Sequence, residues 1–124
     1  MIQAINPAGN FRTVFSNANS TGEADLPVAK GGEGAGFGPH ELIEAGLATC
    51  FVMTARIYAK EHGWTLGDAS CNVRIERDVT GDVEFVYSFH LPGLTAAQLQ
   101  EIEVLLQRCP VARTLTKNAT LRAA

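Results

Sequence analysis

The chain has 124 residues, 46% of them hydrophobic and 19% charged, which excludes a disordered chain. That length fits a single domain spanning residues 1–124, able to bury roughly two-thirds of its surface without disulfide staples or a structural metal. Ten basic and thirteen acidic residues give a net charge of −3 with no basic run, so nucleic acid is not an expected partner. Three cysteines, an odd number, do not suit a secreted disulfide framework. Met1–Ala4 lacks the charged-then-apolar pattern of a signal peptide, and a reducing cytoplasm is the expected compartment.

Phe11, Thr13 and Phe15 alternate with Arg12 and Val14 and predict a strand, followed by a turn over Asn17–Gly22. The glycine-dense stretch Gly31–Gly38 is incompatible with regular structure. Pro39 suits a first helical turn, with Glu41 and Glu44 near the positive helix end. From Leu42 to Ala59 the pattern is apolar on nearly every side, and His62-Gly63 is a C-terminal stop. Glu44, Gly46 and Arg56 interrupt it, leaving no apolar run of ~18–20 residues, so the expectation is a central buried helix and no membrane partner. Cys71–Arg77 alternates as a strand, Val79–Asp82 turns the chain, and Val83, Phe85, Tyr87, Phe89 and Leu91 line one face of the returning strand. Thr95 with Gln98 forms a capping box, and Leu99, Ile102, Leu105, Leu106 and Cys109 recur at helical spacing. Pro110 ends or restarts that helix, Ala112–Thr116 reads as helical, and Ala119–Arg122 as a final short strand. Separated runs of strands and helices predict an α+β fold with mostly antiparallel sheets.

His40, His62 and His90 lie far apart and no Cys-x-x-Cys occurs, so no metal site is expected. The glycine stretch lacks the Lys-Ser/Thr ending of a phosphate loop and reads as a flexible helix entrance. Cys50 sits among Gly46, Leu47, Met53 and Thr54. By itself it reads as a small core hydrophobe, and a reactive thiolate there needs a cation brought from elsewhere. Cys109 precedes Pro110 at a helix junction, where free backbone N–H groups can stabilise a thiolate. Cys71 begins a strand with no nearby feature and reads as structural.

Gly38–Cys50, continuing through Met53–Ala59 and Gly63-Trp64, resembles the central helix of the OsmC/Ohr family, the osmotically induced and organic hydroperoxide resistance proteins. Cys109-Pro110-Val111-Ala112-Arg113-Thr114-Leu115 resembles the second cysteine segment of that family, and the likeness extends from Gly31 onwards. The resemblance implies an OsmC-like α+β fold, a long buried central helix and an intertwined homodimer. It also implies a thiol-dependent peroxidase for organic hydroperoxides, with Cys50 peroxidatic and Cys109 resolving. In the implied cycle a Cys50 sulfenic acid condenses with Cys109 into a disulfide, which a dithiol reductant reopens; in one branch that reductant is a lipoylated protein. No bound metal or organic cofactor is needed.

One position departs from the pattern. The hydroperoxide resistance branch places a glutamate directly after the helix-start proline, paired with an arginine that activates the first cysteine. Here that position is His40, and Glu41 follows about 100° further around the helix. Arg12 is the first match for the activating arginine and Arg113 the second, while Arg56 follows the motif without facing Cys50. Glu41 reads either as the arginine's partner or as a plain charge at the helix start. The rival reading is a non-catalytic OsmC-like protein that binds a small hydrophobic ligand at the dimer interface. His40 favours that rival; both cysteines together with Pro110 favour the enzyme. Apart from the resemblance, a helix apolar all round needs more cover than one small sheet and two short helices provide. That predicts a homodimer with an apolar interface above about 1,000 Å².

Overall fold

Three short strands, β1 (Gln3–Ile5), β2 (Thr13–Ser16) and β3 (Thr21–Ala24), pair antiparallel in chain order. The computed structural model describes residues 1–124, whose contacts divide into two units, residues 1–43 and 44–124. In the first unit, Asn17 closes the β2–β3 hairpin: its Oδ1 accepts the N–H groups of Asn19 and Ser20, each at 2.8 Å. That turn sets the register, with Thr13 opposite Ala24 and Ser16 opposite Thr21.

The glycine-dense stretch is irregular but not loose. Asp25 is 4% exposed, and its carboxylate gathers the chain around it. Oδ1 accepts the Leu26 N–H at 2.8 Å, and Oδ2 accepts those of Glu33 at 3.0 Å and Ala35 at 3.1 Å. A single 3-10 turn at Val28–Lys30 and a bridge from Ala24 to Phe37 complete the wrap. Gly32 and Gly36 are required by close approach. A Cβ on either would meet the carbonyl of Leu26 at 1.9 Å or of Glu23 at 2.5 Å.

Helix α1 (Pro39–Glu61) starts in the first unit and runs on through the second. Its end is a Schellman motif: Trp64 N–H reaches the Ala59 carbonyl at 2.8 Å and Gly63 N–H the Lys60 carbonyl at 3.4 Å, with Gly63 at φ 66°. Trp64 then packs edge-on against Tyr58, with ring centroids 5.3 Å apart, which supplies the motif's apolar contact. Strands β4 (Ser70–Arg77) and β5 (Val83–His90) form a second antiparallel sheet, paired from Ser70↔His90 to Arg77↔Val83. Asp78 shapes the turn between them by accepting the N–H groups of Thr80 and Asp82. Helix α2 (Ala96–Leu106) opens on the Thr95–Gln98 capping box, and Pro110 restarts the chain as α3 (Pro110–Leu115).

The core of the second unit joins Leu47, Phe51 and Ala55 of α1 to Leu91, Ile102, Leu106, Cys109 and Ala112. Phe51 lies 5.1 Å from the Tyr87 ring and 5.2 Å from that of Phe89. Full burial of Phe51, Ile102 and Leu106 contributes about 1.5–3 kcal/mol each. Glu44 adds a polar tie, its Oε1 accepting the N–H of Ile75 on β4 at 2.8 Å.

Two sequence expectations need correction. Within one chain α1 buries only the stripe Leu47, Phe51, Ala55 and Ala59, one residue per turn, because only one side of it faces the sheet and the later helices. Met53 and Ile57 stay 62% and 58% exposed. By length and composition alone α1 could cross a membrane, yet its buried stripe is packed in a protein core. Ala119–Arg122 is no strand: every residue there is exposed, and no neighbouring strand offers its backbone a ladder.

Candidate functional site

Cys50, midway along α1, and Cys109, the residue capping α3, come from separate elements and meet. Cys109 belongs to the core cluster against which Cys50 packs, and the Cys50 thiol acts on the titration of Cys109. Leu106 closes its turn by accepting the Cys109 N–H at 3.0 Å, and Pro110 turns the chain so that Cys109 Sγ accepts the Ala112 N–H at 3.4 Å. Cys109 is only 2% exposed. Burial raises its pKa, and the Cys50 thiol raises it further, while the N–H groups of Ala112 and Val111 act in the opposite direction. The Ala112 N–H is the donor that meets any charge on this sulfur.

Cys50 is half-buried. A cavity of about 440 Å³ lies in the same unit, lined by Leu47 and Phe51 of α1, by Ala112 and Leu115 of α3, and by Glu84, Phe85 and Tyr87 of β5. Its polar atoms include the Tyr87 hydroxyl, which accepts a hydrogen bond from Gln107 Nε2 at 2.9 Å. The third cysteine, Cys71, packs on the same core from β4, and burial alone pushes its pKa up to about 11. All three cysteines are free thiols.

The other residues singled out in the sequence are described within their own units. Arg12 belongs to the first unit and bridges Glu23 at 2.5 Å, the hydrogen bond to that carboxylate raising the arginine's pKa. No ion pair joins Arg12 to Glu41, whose Oε2 instead accepts the Gly38 N–H at 2.7 Å, bracing the start of α1. His40 is exposed on the same first turn. Arg56 donates to the carbonyls of Leu66 and Gly67, each at 2.5 Å, a tie between α1 and the following loop. The Arg113 side chain is exposed. Glu23 was missed in the sequence, although the hairpin offered a signal. A turn at Asn17–Ser20 sets Thr13 against Ala24 and so brings Arg12 within diagonal reach of Glu23.

A family model described as OsmC-like protein matches residues 31–123, three-quarters of the chain and both cysteine segments. The chain belongs to the OsmC-like family. No curated protein matches it. Among solved structures, the OsmC-like protein of Mycoplasma pneumoniae superposes with a TM-score of 0.72 at 23% identity, covering 93% of this chain and 85% of that one. An organic hydroperoxide resistance protein OsmC of Legionella pneumophila gives 0.68 at 21%, covering 95% and 89%. The organic hydroperoxide resistance protein OhrB of Bacillus subtilis gives 0.66 at 20%, covering 95% and 90%. These likenesses establish an OsmC fold: α+β, with antiparallel sheets and a long central helix.

Proposed function

We propose that this OsmC-like chain is a thiol peroxidase that reduces organic hydroperoxides through Cys50 and Cys109. The observation that carries the reading is the packing of these two cysteines, one from α1 and one from the cap of α3, on one core, where the Cys50 thiol acts on the titration of Cys109. The names of the Legionella and Bacillus relatives point to the same substrate class. In the cycle, the Cys50 thiolate attacks a peroxide oxygen, the O–O bond breaks, and a proton completes the departing alcohol. Cys50 is left as a sulfenic acid. The Cys109 sulfur attacks it, water leaves, and a Cys50–Cys109 disulfide forms. A dithiol reductant, a lipoylated protein being one such class, reopens it by exchange.

Arg12 is the proposed activating cation and Glu23 the carboxylate that holds it, while Glu41 serves the helix start. The proposal includes a single domain over residues 1–124, a homodimer that covers the Met53–Ile57 face, and a cytoplasmic setting, to which three free thiols are suited. The cavity also favours a second reading, in which a small apolar ligand binds without turnover. Consumption of cumene hydroperoxide with dithiothreitol separates the two. Turnover that disappears in Cys50→Ser supports the peroxidase, whereas ligand binding with no faster consumption than a free thiol supports the second reading.

A further inference from the structure

All 13 acidic residues precede Arg108, whereas the chain from Arg108 onward carries Arg108, Arg113, Lys117 and Arg122 and no Asp or Glu. All four cations are exposed, and none makes an ion pair within the chain. Arg12 and Arg74 each hold a glutamate instead. In a protein of net charge −3, this end therefore projects a positive field from a negative body. Three of the cations flank Cys109 along the chain. Arg108 precedes Cys109, and Arg113 and Lys117 lie on or just beyond α3, the helix that Cys109 caps. Arg113 and Lys117, with Pro110, Thr114 and Asn118, line an open depression of about 460 Å³.

We propose that this C-terminal cationic surface docks an acidic protein that presents the dithiol reductant of the Cys50–Cys109 pair. The proposal rests on the sulfur cycle set out above and names the partner that closes it. Cys109 is 2% exposed and Cys50 half-buried, so an incoming thiolate meets Cys50 first. Its attack forms a mixed disulfide with Cys50 and breaks the Cys50–Cys109 bond. Cys109 leaves as a thiolate onto the Ala112 N–H. The partner's second thiol, losing its proton to water, then attacks the partner sulfur of the mixed disulfide. Cys50 is released, and the partner departs as a disulfide, two electrons poorer. The negative body of the chain repels a polyanion extending beyond the patch, so a compact acidic domain fits better than nucleic acid or an anionic membrane.

The test starts from the Cys50–Cys109 disulfide formed with diamide, which needs no peroxide chemistry. Its reduction is followed by intact mass with two synthetic peptides, each carrying Cys-Gly-Pro-Cys, one flanked by glutamates and the other by lysines. The glutamate peptide is expected to react about tenfold faster at low salt, with the two rates converging at high salt. The double variant Arg108→Glu/Lys117→Glu should reverse that order while uncharged dithiothreitol reduces both proteins at one rate. Equal peptide rates, or an order that survives the charge reversal, would overturn the proposal. So would protection of the disulfide by phosphatidylserine vesicles or single-stranded DNA, which would assign the surface to those anions. If diamide forms the disulfide and hydroperoxide does not, the peroxidase reading falls while the peptide rates still decide the docking. If neither oxidant forms it, the docking proposal falls as well.

Discussion

At Cys109, burial and the adjoining Cys50 thiol outweigh two N–H donors, and its pKa sits above the ordinary thiol value. Cys71 has no compensating donor, and at about 11 it stays protonated through the physiological range and is a poor nucleophile. The three thiols should therefore separate cleanly under stoichiometric hydroperoxide, read by intact mass. Cys50→Ser takes up no oxygen. Cys109→Ser gains about 32 and then about 48 Da as its unresolved sulfenic acid climbs to sulfinic and sulfonic acid. Cys71→Ser turns over like the parent, and a Cys50–Cys71 bridge in the oxidised parent would transfer the resolving role. Asp25 makes a different residue-scale prediction. Its N–H donors, Ala35 foremost, lower its folded-state pKa below the ordinary carboxylate value of 3.8, so its stabilisation is complete above that value and is lost as pH falls through the folded one. Asp25→Asn should lower Tm by several degrees near neutral pH, and the gap should close in strong acid, where the parent carboxylate is protonated too. A gap that persists in acid would mean the side chain acts by shape and not by charge.

Among the elements, α1 shows how local chemistry sets a boundary. Gly63 at φ 66° ends it, and a Cβ there meets nothing within 4 Å, so Gly63→Ala adds only backbone strain. A loss of about 1–2 kcal/mol in urea unfolding is expected, with an unchanged m-value. Further along the helix, Glu44 holds the Ile75 N–H on the outer edge of β4. Glu44→Leu leaves that donor unpaired in a partly buried place, costing about 1–3 kcal/mol and exposing a strand edge. Hydrogen exchange at Ile75 is the direct measurement: it should accelerate selectively, while the Val73–Tyr87 end of the hairpin is little changed.

For the whole molecule, the deciding feature is apolar surface the chain does not cover by itself. Met53 and Ile57 lie on consecutive turns of α1 and are more than half exposed. The proposed homodimer covers this face. We expect a dimeric mass by light scattering at micromolar concentration and a Tm that rises with protein concentration. Met53→Glu/Ile57→Glu should give a monomer or a poorly folded chain, because two carboxylates cannot be desolvated there without partners. A double variant that remains a fully stable dimer would place the interface elsewhere.

What was legible in the sequence was whatever acts within a turn or two of the chain. The Thr95–Gln98 box, the His62-Gly63 stop, the β4–β5 hairpin and the restart at Pro110 each rest on neighbours a few residues apart, and each stands in the fold. The two cysteine segments likewise carried the family, and with it the α+β class. Contacts between elements were another matter. Asp25 as the anchor of a glycine-dense loop, Glu23 as the holder of Arg12, and Glu44 as the cap on a strand edge depend on where separate segments come to rest. Ala119–Arg122 alternates well enough for a strand, yet no strand lies beside it to pair with. The pattern of α1 could not say which apolar face the chain itself would cover, because a helix has one sequence but several sides, and only packing chooses among them.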